Sequence, residues 1–188
     1  MAFTALFDSC VLYPAPLRDF LLQLATTGCF RARWSESIHD EWTRNVLKNR
    51  ADLTEEQLQR TRTLMNRAVP DCVVTGHERI IETLALPDEN DRHVLAAAIV
   101  GRADVIVTYN LKDFPQTALD PFGIHAQHPD EFLQHLIHLA PQHILLSAKT
   151  CRSRLKNPAL TPEEYLAVMA RQQLPMLVSF LRPNDGLF

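Results

Sequence analysis

The strongest constraint on this chain is an alternation: short apolar runs that end on polar residues, separated by stretches with helical spacing. The run from Ala2 to Ser9 reads as a buried strand closing on Asp-Ser. Pro14 and Pro16 open an amphipathic helix through Ala25, which Gly28 ends. Phe30 to Trp34 reads as a second strand, after which Ser35 or Ser37 caps a helix to about Asn49. Thr54 starts another helix, with Leu58, Leu64, Met65 and Ala68 at helical spacing. Cys72 to Thr75 is a third strand, and Gly76 to Leu86 a short helix. Asp88 caps a helix through Val100 that Gly101 closes. Ala103 to Asn110 is a fourth strand and Gly123 to Gln127 a fifth, before a helix that starts at Pro129.

Strands alternating with helices imply a parallel sheet covered on both faces, here a three-layer α/β/α arrangement of four to five strands. From about Pro141 the pattern turns purely helical, so the chain divides into an α/β domain over 1–140 and a helical extension over 141–188. Ligand sites in such sheets lie at the carboxyl ends of the strands. That rule draws attention to Asp8 and to the stretch from Thr108 to Asp113, which follow strand ends.

Composition narrows the chemistry. Cys10, Cys29, Cys72 and Cys151 are far apart without a CxxC pair, which argues against a zinc ribbon or disulfide framework and for a reducing cytoplasm. The amino-terminal stretch lacks a basic region and carries Asp8, unlike a signal peptide, and no apolar run approaches the ~20 residues of a membrane span. Residues 1–140 hold 13 Lys/Arg against 19 Asp/Glu, whereas residues 141–188 hold 6 against 3. The acidic part is the place for cation sites and the basic tail the place for a polyanion. Lys149, Arg152, Arg154 and Lys156 are candidate phosphate contacts, with a solvated helix face the alternative. Tyr109 either stacks on a base or lines the cleft.

Counting ~100° per residue sorts the acids. In the helix after Ser35, Ile38, Trp42, Asn45 and Val46 share one face with Glu41 at its edge, while Glu36 and Asp40 point away. In the helix before Gly101, Val94, Leu95, Ala98 and Ile99 form the apolar face; Asp91 falls in its middle, Asp88 at its edge and Glu89 toward water. A carboxylate on a core-facing stripe is costly unless something pairs with it. Asp88 has a ready explanation as an N-cap, and Asp113, before Phe114-Pro115, as a turn cap. Asp8, Glu41, Asp91 and Asp113 nonetheless stand on four elements at one end of the sheet. Oxygen-only donors suit Mg²⁺ or Mn²⁺, and without metal such acids would repel until one or more held a proton near neutral pH.

These residues, Phe7 to Leu12, Ser37 to Glu41, Pro87 to Ala98 and Ala103 to Phe114, resemble the PIN-domain nucleases, and among them the VapC-type toxins of bacterial toxin–antitoxin pairs. The likeness spans roughly residues 3–135. It implies a metal-dependent endoribonuclease acting on tRNA or other structured RNA, with Asp8, Glu41, Asp91 and Asp113 as metal ligands and a metal-activated water as attacking group. It implies a supporting shell of Ser9, Thr108 and Asn110, with Asp88 as an additional acid. It also implies a small antitoxin partner, a homodimer, and kinship of the extension with the C-terminal segment of a longer subgroup.

Competing readings fit less well. A haloacid-dehalogenase-type phosphatase needs a second acid where Cys10 stands, and a receiver domain needs an acidic pair at the first strand and an aspartate after the third, where CVVTGHER has none. His125, His128, His135, His138 and His143 cluster without the cysteines or HExxH spacing of a zinc site. The remaining alternative is a catalytically silent PIN-like domain that binds RNA or protein.

Overall fold

The computed structural model describes residues 3–188; Ala2, the expected start of the first strand, lies outside them. The elements run β1 (Thr4–Phe7), α1 (Ser9–Leu12), α2 (Ala15–Ala25), β2 (Arg31–Ser35), α3 (Glu36–Asn49), α4 (Glu55–Ala68) and β3 (Val73–Val74), then 3-10 turns over His77–Thr83 and Glu89–Asp91. There follow α5 (Arg92–Val100), β4 (Val105–Val107), a 3-10 turn over Leu111–Asp113, α6 (Gln116–Leu119), β5 (His125–Gln127), α7 (Pro129–Leu139), α8 (Pro141–Arg154), α9 (Pro162–Arg171) and α10 (Pro175–Leu181).

All five strands pair in parallel, in the order β3-β2-β1-β4-β5. The chain leaves β1 toward β2 on one side and returns to β4 on the other, so the topological switch lies between β1 and β4. Their register sets Phe7 opposite Val107, which brings the next residues, Asp8 and Thr108, side by side at the carboxyl edge.

Local sequence chemistry explains most boundaries. The Ser35 hydroxyl accepts from the Ile38 N–H at the start of α3, and Thr54 and Gln57 close a capping box on α4, as Thr161 and Glu164 do on α9. Gly28 lies at φ +79°, where a side chain would be strained. One expected boundary differs. Asp88 caps not a continuous helix but the turn Glu89–Asp91, and Asp91 becomes the N-cap of α5. Three positions expected on apolar stripes also differ: Asn45, Leu64 and Ala68 are exposed, and His39 and Thr43 take buried positions on α3.

One continuous core joins the sheet to the extension, with Ile144, Ala148, Tyr165, Leu166, Leu177 and Phe188 in it beside Leu6, Phe7 and Ile106. Phe3, Phe7, Phe30 and Phe132 form an aromatic cluster, Phe30 and Phe132 edge to face at 5.1 Å, which seats α7 on β1. Such ring pairs add about 0.5–1.5 kcal/mol each beyond the area they bury. The buried Asp130 carboxylate of α7 then accepts the backbone N–H groups of Met176 (2.8 Å) and Leu177 (3.1 Å), capping α10 from outside. No helix among the described residues is long and apolar enough to cross a membrane.

Candidate active site

Asp8 sits where the buried β1 run ends, 3% exposed, with its backbone extended at φ −70° and ψ 157°. A buried carboxylate is tolerable only if donors surround it. Here the Ser9 backbone N–H donates to Oδ1 at 2.6 Å, while Thr108 Oγ1 (2.7 Å) and the Cys10 thiol (3.2 Å) donate to Oδ2. Thr108, fully buried, accepts in turn from the Asn110 N–H at 3.0 Å. Thr108 and Ser9 therefore stand in contact with Asp8. Asn110 reaches it through its backbone. Cys10 is a further site residue, at the position where a phosphatase would carry a second acid. Burial first, and then the Asp8 charge, push its thiol up to about 12, so it stays protonated and can donate.

Asp91 presents the opposite situation. It occupies the N-cap of α5 yet makes no capping hydrogen bond, and it is only half-buried. Burial raises its carboxyl, and the charges of Asp8, Asp88, Asp113 and Glu41 add to that in decreasing order, to about 6. Four other acids thus bear on one, which is the crowding expected of a carboxylate cluster without a cation. Asp88 itself is exposed and accepts from the Asn90 backbone and side-chain nitrogens, both at 2.9 Å, as an ordinary cap would. Asp113 is half-buried at the end of its 3-10 turn.

Glu41 turns toward a partner that helix counting overlooked. His93 Nε2 lies 2.7 Å from its Oε1. Burial works upward on Glu41, but the His93 hydrogen bond and charge, the Ser9 hydroxyl and Arg44 outweigh it and hold the carboxyl below its ordinary range. The acids judged to point away do so: Glu36 and Asp40 pair with Arg62, and Glu89 pairs with Arg92.

The donor set fits a hard divalent cation in chemistry and charge, being all oxygen and mutually repulsive. Among the described residues, however, no three His, Cys, Asp or Glu side chains stand at metal-binding spacing. Asp8 is engaged by its donors at both carboxylate oxygens, and Glu41 by His93 at Oε1.

The outer candidates fall differently. The Tyr109 hydroxyl donates to the Gln172 carbonyl at 2.7 Å, and its ring meets His128 edge to face at 5.1 Å. Tyr109 thereby ties the cleft to the end of α9 instead of offering a free stacking face. Arg152 donates to the Leu160 (2.8 Å) and Phe188 (3.0 Å) carbonyls, a structural tie that removes it from the phosphate candidates. Lys149, Arg154 and Lys156 are exposed. The histidines are dispersed: His128 caps α7, His135 lies 3.3 Å from Gln127, and His143 meets Cys29.

The comparisons agree with this architecture. The PIN domain family model matches residues 4–112, which holds all four principal acids except Asp113, and the VapC50 C-terminal domain model matches residues 129–183. A curated protein of Mycobacterium tuberculosis (strain ATCC 25618 / H37Rv), named "Putative ribonuclease VapC50", is 43% identical over 82 residues, 44% of this chain and 48% of that protein. The chain therefore spans about half the length of that relative. No solved structure matches. With the PIN model covering more than half the chain, over a parallel sheet whose switch point gathers acids, this chain belongs to the PIN-domain family.

Proposed function

We propose that this protein is a Mg²⁺- or Mn²⁺-dependent endoribonuclease. The observation that carries the reading is the convergence of Asp8, Asp88, Asp113 and Glu41, from separate elements, on Asp91 at the switch point of the sheet. The name of the relative from Mycobacterium tuberculosis supports RNA as the substrate class. Asp8, Glu41 and Asp91 would hold the ion, with Asp113 beside them. A bound divalent ion would lower the pKa of a water and neutralise charge on the phosphodiester. The protein's own part is positional. Thr108, Cys10 and the Ser9 N–H fix Asp8 at the buried edge, and the crowded Asp91 bears on it from the start of α5.

In the cell this activity would make the chain the toxin of a type II toxin–antitoxin pair, cytoplasmic, acting on tRNA or another structured RNA and silenced by a small antitoxin. Self-association as a homodimer, and 141–188 acting as a helical extension to the nuclease part, belong to the same reading. The test is cleavage of total cellular RNA by wild type and Asp8→Asn, with Mg²⁺ or Mn²⁺ and with excess EDTA. Cleavage by wild type that EDTA stops and Asp8→Asn lacks is the expected result. Cleavage that survives EDTA refutes metal dependence. RNA binding without cleavage would favour the silent binding module, to which the absence of three acids at coordination spacing among the described residues lends some weight.

A further inference from the structure

Outside the four acids, His93 lies two residues after Asp91 and reaches across to α3. Its Nε2 meets Glu41 Oε1 at 2.7 Å, with the imidazole largely buried and its Nδ1 without a partner. The 3-10 turn that packs on α5 carries His77, 1% exposed, whose ring nitrogens make no hydrogen bond and whose Nδ1 stands 3.6 Å from Glu78 Oε1.

Glu41 has a long, rotatable side chain, and a carboxylate that must meet a cation gains from having one oxygen held. The bond to His93 holds Oε1 and so sets where the second oxygen points. The Ser9 hydroxyl, next to Asp8, bears on the same carboxylate. Because His93 shares α5 with Asp91, the bond also fixes Glu41 relative to Asp91. The choice of residue is informative. A lysine or arginine here would bring a permanent positive charge that competes with a cation for Glu41, whereas an imidazole can present an N–H to the carboxylate in either protonation state.

We propose that His93 is the positioning residue for Glu41, holding one oxygen of that carboxylate so that the other can be presented to a divalent cation. This rests on the metal-dependent reading above. It is tested by titrating Mn²⁺ alone into the full chain by calorimetry, at one pH, for wild type, His93→Leu, His93→Gln and Glu41→Gln. His93→Leu removes the donor, and loss of such an outer partner weakens metal affinity by about 10–100-fold. His93→Gln keeps an N–H within reach of Oε1 and is expected to stay within about threefold of wild type. In the Glu41→Gln background, His93→Leu is expected to add nothing, since the two act as one unit. A folded His93→Leu that binds Mn²⁺ like wild type overturns the assignment, as does His93→Gln failing as badly as His93→Leu. Wild type that takes up no Mn²⁺ overturns the metal reading and this assignment with it, which separates the two failures.

Discussion

Replacing Asp91 by asparagine should stabilise the protein while removing the nuclease activity proposed above. The carboxyl is raised from 3.8 to about 6, by burial first and then by the charges of Asp8, Asp88, Asp113 and Glu41. At full weight that displacement is worth about 3 kcal/mol against the ionised form. Asp91 is half-exposed, so solvent screening cuts the figure to about 1–2 kcal/mol. The dipole at the start of α5 works the other way, favouring the charge by about 0.3–1 kcal/mol. The repulsion is the larger effect, so Asp91→Asn should gain about 1 kcal/mol, or a Tm rise of about 2–4 °C. The sign follows from a folded-state pKa above the unfolded one. The wild-type penalty is absent below 3.8, grows through about 6 and is complete at pH 8. Thermal unfolding followed by far-ultraviolet circular dichroism in EDTA should therefore show the gain at pH 8 and lose it near pH 4. Adding Mg²⁺ at pH 8 should raise wild type toward the variant by mass action and leave Asp91→Asn unmoved. An asparagine variant that is less stable than wild type at pH 8, or equally favoured at pH 4, would refute the electrostatic argument.

Two further outcomes follow from buried hydrogen bonds. Thr108→Val keeps the side chain's shape but removes the 2.7 Å donor to Asp8 and should cost about 1–3 kcal/mol in urea unfolding, together with most of the RNA cleavage. Asp130→Ala strips the two N–H partners that cap α10 and should cost about 2–3 kcal/mol, with faster amide exchange at Met176 and Leu177. An unchanged urea midpoint in either variant would remove the corresponding tie from the account.

What could be read from the sequence, and what could not, divides along the range of the interactions. The end of an apolar run is a local signal, so Asp8 and Thr108 are visible at strand ends, and a parallel sheet follows from alternation, whereas the pairing of β1 with β4 does not. Asp91 was visible because helix periodicity puts it on a face where a carboxylate needs a reason. Asp88 and Asp91 are both competent caps three residues apart, so the division into a 3-10 turn and α5 depended on packing that no local rule supplies. His93 was hidden because its partner lies 52 residues away. Tyr109 misled for the same reason, its hydroxyl being committed to Gln172, 63 residues on. Arg152 looked like a free cation in a basic helix, but its carbonyl partners come from the loop and chain end that fold back on it.

The two principal acids are held in opposite ways, and that contrast bears on function more than their number does. Asp8 is buried and met by three neutral donors, so its charge is accommodated and its place fixed whether or not a cation is present. Asp91 has no capping partner and takes the repulsion of four neighbours. A cation entering such a site gains little by relieving Asp8 and much by relieving Asp91. The folded state without metal is therefore destabilised locally, at Asp91, a cost that a bound cation would remove. Cation binding at such a site would displace protons near pH 6. If both acids were equally satisfied, replacing Asp91 would destabilise the protein instead, and that is why its sign under Asp91→Asn is the measurement that discriminates.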